Sequence, residues 1–136
     1  MFSIIIPTYN NLLYLQLCLK SLKKNSYRKH EIIIHVNDGS DGTLDFVKKK
    51  KIKHTYSKIN IGLCSGVNKA AKISKHEHIL YAHDDMYFCP KWDKYLIDEI
   101  KKIKHNRFYV SGTMIESSGG HISYDCGKTI EKFNEN

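Results

Sequence analysis

The segment FSIIIP at residues 2–7 has no polar face. A β-strand presents successive side chains to opposite sides, so three consecutive isoleucines are hidden only if both faces of their sheet are covered. EIIIHV at residues 31–36 imposes the same condition. Between these runs, Leu12, Leu15, Cys18, Leu19 and Leu22 recur at helical spacing. The alternation continues. A helix is expected over residues 44–51 and a weaker strand over 52–56. A helix over 64–74 follows, with Val67, Ala70, Ala71 and Ile73 as its packing side. Then come a strand at 78–82, a helix at 92–103 reading WDKYLIDEIKKI, and a strand at 108–112. Strands alternating with helices of this length predict a parallel, doubly wound sheet with helices on its faces. After Glu116 the glycine, serine and charge content rises, and only a short strand at 121–124 is expected.

Sheets of this class take ligands beyond the carboxyl ends of their strands, near a switch in strand order. The polar clusters fall at those ends: TYNN after the first strand, NDGSDGT after the second and HDD after the fourth. Each has two readings. Asn10 or Asn11 can cap the first helix, and Ser40 or Asp41 the second. Asp38, just past a buried strand, can instead accept hydrogen bonds from a nucleobase or ribose. NIGLCSGVN is an ordinary helix start, or a start whose small residues let phosphate approach the helix N-terminus. In ILYAHDDMYF, two adjacent carboxylates leave a strand. They form an acidic capping turn, or they meet diphosphate oxygens through Mg²⁺ or Mn²⁺.

Composition narrows the classes. With 136 residues, 41% apolar and 26% charged, the chain has the size and balance of one folded domain. A net charge of +8 favours anionic partners. The lysine run at 48–51 reads as a solvated helix end that complements the helix dipole, with a membrane or nucleic-acid patch as the alternative. The RNA-binding patterns of interleaved aromatic and basic residues are absent, so no nucleic-acid partner is expected. No G-x-G-x-x-G occurs, and the GKT at 127–129 has Ile122 where a phosphate loop needs glycine. SSGG at 117–120 reads as a turn. The four cysteines, Cys18, Cys64, Cys89 and Cys126, lack zinc spacing and suggest a reducing compartment, with Cys18 a small core residue. No signal-peptide pattern and no run of 18 apolar residues is present, which makes a soluble, cytoplasmic protein the expectation.

Taken together, SIIIPTYNNLLYLQLCLKSL, VNDGSDGT, NIGLCSGVNKAA and ILYAHDDMYFCPKWD resemble the family 2 glycosyltransferases of the GT-A fold, over about the first 110 residues. The resemblance implies a Rossmann-like, mostly parallel sheet flanked by helices, truncated on its C-terminal side. Residues 1–115 would be the nucleotide-diphosphate-sugar-binding core, and 116–136 the start of an acceptor region or a tail. It implies a nucleotide-diphosphate-sugar donor, a divalent metal (Mn²⁺ or Mg²⁺), and inverting transfer to an acceptor hydroxyl on a glycan, lipid or protein.

Carried over by residue, Pro7, Thr8 and Tyr9 match the segment along the nucleoside, and Asp38 the acidic residue that contacts the base. Asn60 and Gly62 match the turn beside the nucleotide, and Asn68 the asparagine in the following helix. His83, Asp84 and Asp85 stand at the D-x-D position, with Asp85 matching the metal ligand; Asp84 would turn toward the sugar or toward a backbone cap. On an extended segment His83 and Asp85 would share a face, and the imidazole would shift preference toward Mn²⁺.

The chain departs from the pattern in places. Asn37 replaces a first Asp, GSDGT is one residue shorter than the common GSTDGT, Val67 replaces a frequent arginine, and His83 replaces the first D-x-D carboxylate. Glu116, Asp125 and Glu131 lie outside any recognisable general-base motif, so no catalytic base is assigned. The other reading is a nucleotide-sugar-binding module or fragment, without catalysis, that needs a partner chain. Peripheral membrane association and a homo-oligomer are compatible with either.

Overall fold

The computed structural model describes residues 1–118 and 120–135. The elements run β1 (Ser3–Tyr9), α1 (Leu12–Asn25), β2 (Glu31–Asn37), α2 (Thr43–Lys49), β3 (Lys53–Ser57), α3 (Leu63–Ala71), β4 (Ile79–Tyr81), α4 (Trp92–Ile100), β5 (Ile115–Glu116) and β6 (Ile122–Ser123). The chain divides into two compact units, Met1–Trp92 and Asp93–Asn136. No helix among the described residues is long and apolar enough to cross a membrane.

The first unit is the expected α/β sheet. Its four strands lie in the order β3-β2-β1-β4, and every pairing is parallel. Burial follows from sequence: Ile4, Ile5, Ile6, Ile33, Ile34 and Val36 are all fully buried in the two central strands. Against Ile5 and Ile33 pack Val67, Ala70 and Ala71 of α3, and Ile73 just past its end, the packing side expected from the sequence. Adding β4 on the far side of β1 reverses the direction in which the sheet grows, so the switch point lies between β1 and β4.

At the opposite edge of the sheet, Glu31 ties three strands together. Its Oε1 accepts from Lys53 Nζ at 2.7 Å. Its Oε2 accepts from Ser3 Oγ at 2.6 Å and from the Lys75 backbone N–H at 2.8 Å. Burial raises the carboxyl's pKa, but the bonds from Lys53, Ser3 and Lys75 and the Lys53 charge outweigh it and hold the value down at about 2.

Asp41 serves the start of α2, as expected, but the start of α1 differs from the sequence expectation. Neither Asn10 nor Asn11 caps α1. Asp41 caps it from across the fold: its Oδ2 accepts from Leu12 N at 2.9 Å. Its Oδ1 accepts from Thr43 N at 3.0 Å, at the start of α2. Asn10 instead adopts a left-handed backbone, φ 48°, and its side chain turns to the β2–α2 loop.

In the second unit, residues 108–112 form no strand; Tyr109 is 92% exposed. Aromatic and β-branched residues such as Phe108, Tyr109 and Val110 make a strand only where a neighbour pairs with them. None of the described residues does so for this segment. The short strand expected at 121–124 is present as β6, paired parallel with β5. Ser117 and Ser118 lie in a turn, and the rest of the SSGG segment includes Gly119, outside the described residues. The exposed pairs Lys94–Asp98, on α4, and Glu99–Lys102, across its end, contribute little to stability.

Candidate functional site

A cleft of ≈ 280 Å³ opens at the switch point. The carboxyl end of β1 supplies Pro7, Thr8 and Tyr9; the loop before α3 supplies Asn60 and Gly62; the segment after β4 supplies His83 and Asp84. Asn11, Asn37 and Leu63 complete the wall. Seven of the residues singled out in the sequence therefore meet at one place. Asp38, Asn68 and Asp85 lie outside this wall. Asn11 was legible only as the end of the TYNN cluster and a candidate cap, and Leu63 was not legible as a site residue. The only signal for Leu63 was adjacency to the motif positions, because its side chain carries no diagnostic chemistry.

Beneath the cleft runs a buried polar chain. Asn37 Oδ1 accepts from the Ile61 backbone N–H at 3.0 Å and faces His35 Nε2 at 3.3 Å. Since that oxygen can only accept, Nε2 carries the hydrogen. Nδ1 of the neutral ring then accepts from Thr55 Oγ1 at 2.7 Å. Burial, aided by the Lys69 charge and opposed by the Asn37 bond, holds the His35 pKa below its ordinary value, so the ring stays neutral. Asn37 thus anchors the turn that carries Asn60 and Gly62. Asn60 Oδ1 then closes that turn by accepting from Gly62 N at 2.9 Å. Gly62 has φ 81°, a backbone that glycine adopts without strain, and α3 starts directly after it.

The β2–α2 loop is built around Asp38, whose φ of 59° is left-handed. Its N–H donates to the Ser57 carbonyl at 2.8 Å. Its Oδ2 accepts from Asn10 Nδ2 at 2.9 Å and from Ser40 Oγ at 3.1 Å; Oδ1 takes part in neither bond. Asn10 Oδ1 accepts in turn from Gly39 N at 3.0 Å. The carboxylate is therefore fixed at the sheet edge beside the carboxyl end of β1.

After β4 the chain turns at Asp84 and Asp85 instead of running extended. Facing by alternation, expected for His83 and Asp85, does not operate there. The turn puts Asp84 half-buried on the cleft wall and leaves Asp85 exposed beside it. His83 Nε2 lies 2.9 Å from Tyr81 Oη, which leaves Nδ1 as the ring's other donor or acceptor. The negative charge concentrated here is felt by its neighbours. Burial first, then Asp84 and Asp85, push the Cys18 thiol up to about 12. Burial, Cys64, Asp85 and Asp84 likewise raise the Tyr81 phenol. Among the described residues no group of three His, Cys, Asp or Glu side chains forms a preassembled metal cage.

A family model described as Glycosyl transferase family 2 matches residues 3–132. An uncharacterized glycosyltransferase of Rickettsia conorii is 32% identical over 143 residues, covering 97% of this chain and 23% of that protein. A Methanococcus voltae protein is 39% identical over 140 residues, covering 94% of this chain and 43% of that one; it is named dolichyl N-acetyl-alpha-D-glucosaminyl phosphate 3-beta-D-2,3-diacetamido-2,3-dideoxy-beta-D-glucuronosyltransferase. The chain thus spans less than half the length of these relatives. The crystal structure of S. aureus TarS 1–349 in complex with UDP is similar with a TM-score of 0.67 at 29% identity, over 74% of this chain and 32% of that one. The mannosyltransferase PcManGT of Pyrobaculum calidifontis, solved with GDP-Man and Mn²⁺, is similar in fold, with a TM-score of 0.56 at 19% identity over 64% of this chain and 28% of that one.

Proposed function

Because the chain belongs to glycosyl transferase family 2, we propose that its first unit binds a nucleotide-diphosphate sugar and a divalent cation, for inverting transfer of the sugar to an acceptor hydroxyl. The observation that carries this reading is the convergence at the switch point. The end of β1, the Asn60–Gly62 turn and His83–Asp84 form one cleft wall. A nucleoside would lie along Pro7, Thr8 and Tyr9, with Asp38 accepting from the base or ribose. The diphosphate would approach the start of α3 past Asn60 and Gly62, where unsatisfied backbone N–H groups favour an anion. Asn68 lies farther along the same helix and would support that side.

The residues present suit a hard cation. Such an ion keeps several waters and takes oxygens from a diphosphate, so one or two protein ligands suffice. Asp85 and His83 would hold it, and Asp84, on the cleft wall, would face the sugar. The imidazole makes Mn²⁺ the better fit than Mg²⁺. When bound, the ion would neutralise the leaving diphosphate. The protein's part is to orient the donor so that an acceptor hydroxyl attacks the anomeric carbon from the face opposite the leaving group. Support for a UDP-linked donor comes from TarS, solved with UDP.

The test is calorimetric titration of UDP and GDP, with and without Mn²⁺. Mn²⁺ should bind weakly alone and much better with nucleotide. Asp85→Asn should abolish that coupling, while Asp84→Asn should leave most of it and weaken binding of the intact donor. No nucleotide binding under any condition would overturn the reading. Nucleotide binding with neither transfer nor donor hydrolysis, across a panel of donors, would reduce the chain to a binding module.

A further inference from the structure

The segment from His83 to Lys91 has no regular secondary structure beyond the turns at Asp84–Asp85 and Pro90–Lys91. Its backbone groups therefore need partners from elsewhere. They find them on one face of α1. Cys18 Sγ lies 3.7 Å from the His83 carbonyl oxygen. Ser21 Oγ accepts from the Phe88 N–H at 3.0 Å and donates to the Cys18 carbonyl at 2.7 Å. Asn25 Nδ2 donates to the Phe88 carbonyl at 2.6 Å and lies 3.1 Å from Tyr87 Oη. The Asn25 carbonyl, at the end of the helix, accepts from Lys91 N at 2.8 Å.

Residues 18, 21 and 25 are three and four apart, so they form one stripe. Packing alone does not account for this stripe. Ser21 is fully buried and Asn25 is 8% exposed. Both are weak helix formers, and a buried polar group costs stability unless it is hydrogen-bonded. Apolar side chains would serve a helix that only had to cover a sheet. The bonds instead fix the two feet of an arch, His83 on one side and Phe88 with Lys91 on the other. Between the feet stand Asp84 and Asp85. The far foot is also packed, since the Phe88 ring lies 4.8 Å from that of Trp92.

We propose that Ser21 and Asn25 are positioning residues, clamping the arch so that Asp84 and Asp85 are held at the cleft for a metal-bound diphosphate. The proposal rests on the donor-and-metal reading of the site. Like charges on adjacent residues repel, and a free loop would let them separate. A clamped arch keeps both carboxylates in place before the ligand arrives and so spares the ordering cost on binding.

Two measurements on Ser21→Ala and Asn25→Ala test this. The first is amide hydrogen exchange of the ligand-free protein. Protection at Phe88 should fall by about tenfold or more, while that in β1 and β2 is retained. The second is the Mn²⁺-dependent gain in UDP and GDP affinity. It should shrink by about tenfold, with metal-free nucleotide affinity unchanged. Ser21→Thr, which keeps a hydroxyl, should restore both readouts. Should Asn25→Ala fail to fold, the Ser21 pair alone decides. Unaltered exchange at Phe88 in Ser21→Ala, or loosened exchange with the Mn²⁺ gain intact, overturns the positioning role. Absence of any Mn²⁺ gain in the wild-type chain overturns the proposal through the site reading beneath it, and the exchange data then show that the clamp itself is not at fault.

Discussion

A Cβ added at Gly66 would lie 2.5 Å from His35 Cδ2. The third helix is therefore seated directly on the imidazole that holds Asn37, and Asn37 holds the Asn60–Gly62 turn. Neither partner can give way easily: Gly66 is inside α3, and His35 is fully buried and bonded at both nitrogens. Gly66→Ala should cost about 1–3 kcal/mol through overpacking, despite alanine's better helix propensity. Chemical denaturation checks this. A stabilised variant would mean that α3 does not rest on the ring.

Glu31 should make the fold acid-sensitive in a defined window. Its folded pKa of about 2 lies below the ordinary 4.5. The unfolded chain therefore takes up its proton first as pH falls. The stability from this carboxylate is complete above about pH 4.5 and is lost as pH drops toward 2. Glu31→Gln should lower stability at pH 7 by about 1–3 kcal/mol and flatten the wild-type slope between those limits. Urea denaturation at stepped pH reads both effects.

Asp41 serves two helices at once, accepting from Leu12 N and Thr43 N. Its pKa is held low: burial opposes, but the bonds from Thr43 and Leu12 prevail. Asp41→Ala should cost about 1–2 kcal/mol, the cost of a lost cap, and should loosen the first turns of both α1 and α2. Exchange of the Leu12 and Thr43 amides distinguishes this from a local loop effect. Loss at Thr43 alone would contradict the bridging role.

Asp38 is the residue most directly tied to the nucleoside in the proposed reading. Asn is the informative replacement, because it also tolerates a left-handed backbone and preserves the loop. Asp38→Asn should weaken UDP or GDP binding by about 1–3 kcal/mol, the value of a charged hydrogen bond. Calorimetry on the folded variant decides it, and an unchanged affinity would remove Asp38 from the site.

By itself the sequence determined the order of the first unit's elements and the buried faces of its two central strands. Uninterrupted β-branched runs such as those at Ile4–Ile6 and Ile32–Ile34 admit no exposed face. The spacing of Val67, Ala70 and Ala71 admits only one inward side for α3. These are short-range signals, carried by residues one to four positions apart. The strand proposed at 108–112 used the same kind of signal and failed, because a strand also needs a paired neighbour.

Tertiary structure decided the rest. The β3-β2-β1-β4 order located the cleft. Packing gave the cap of α1 to Asp41 in place of Asn10 or Asn11, a partner 29 residues away. It turned the chain at Asp84–Asp85, and it made Ser21 and Asn25 the holders of a loop more than 60 residues downstream. Buried polar groups must be satisfied, but the sequence names only the donors and acceptors. Which of them meet depends on how the helices settle on the sheet, since hydrogen-bond partners are selected by proximity after the apolar faces have packed.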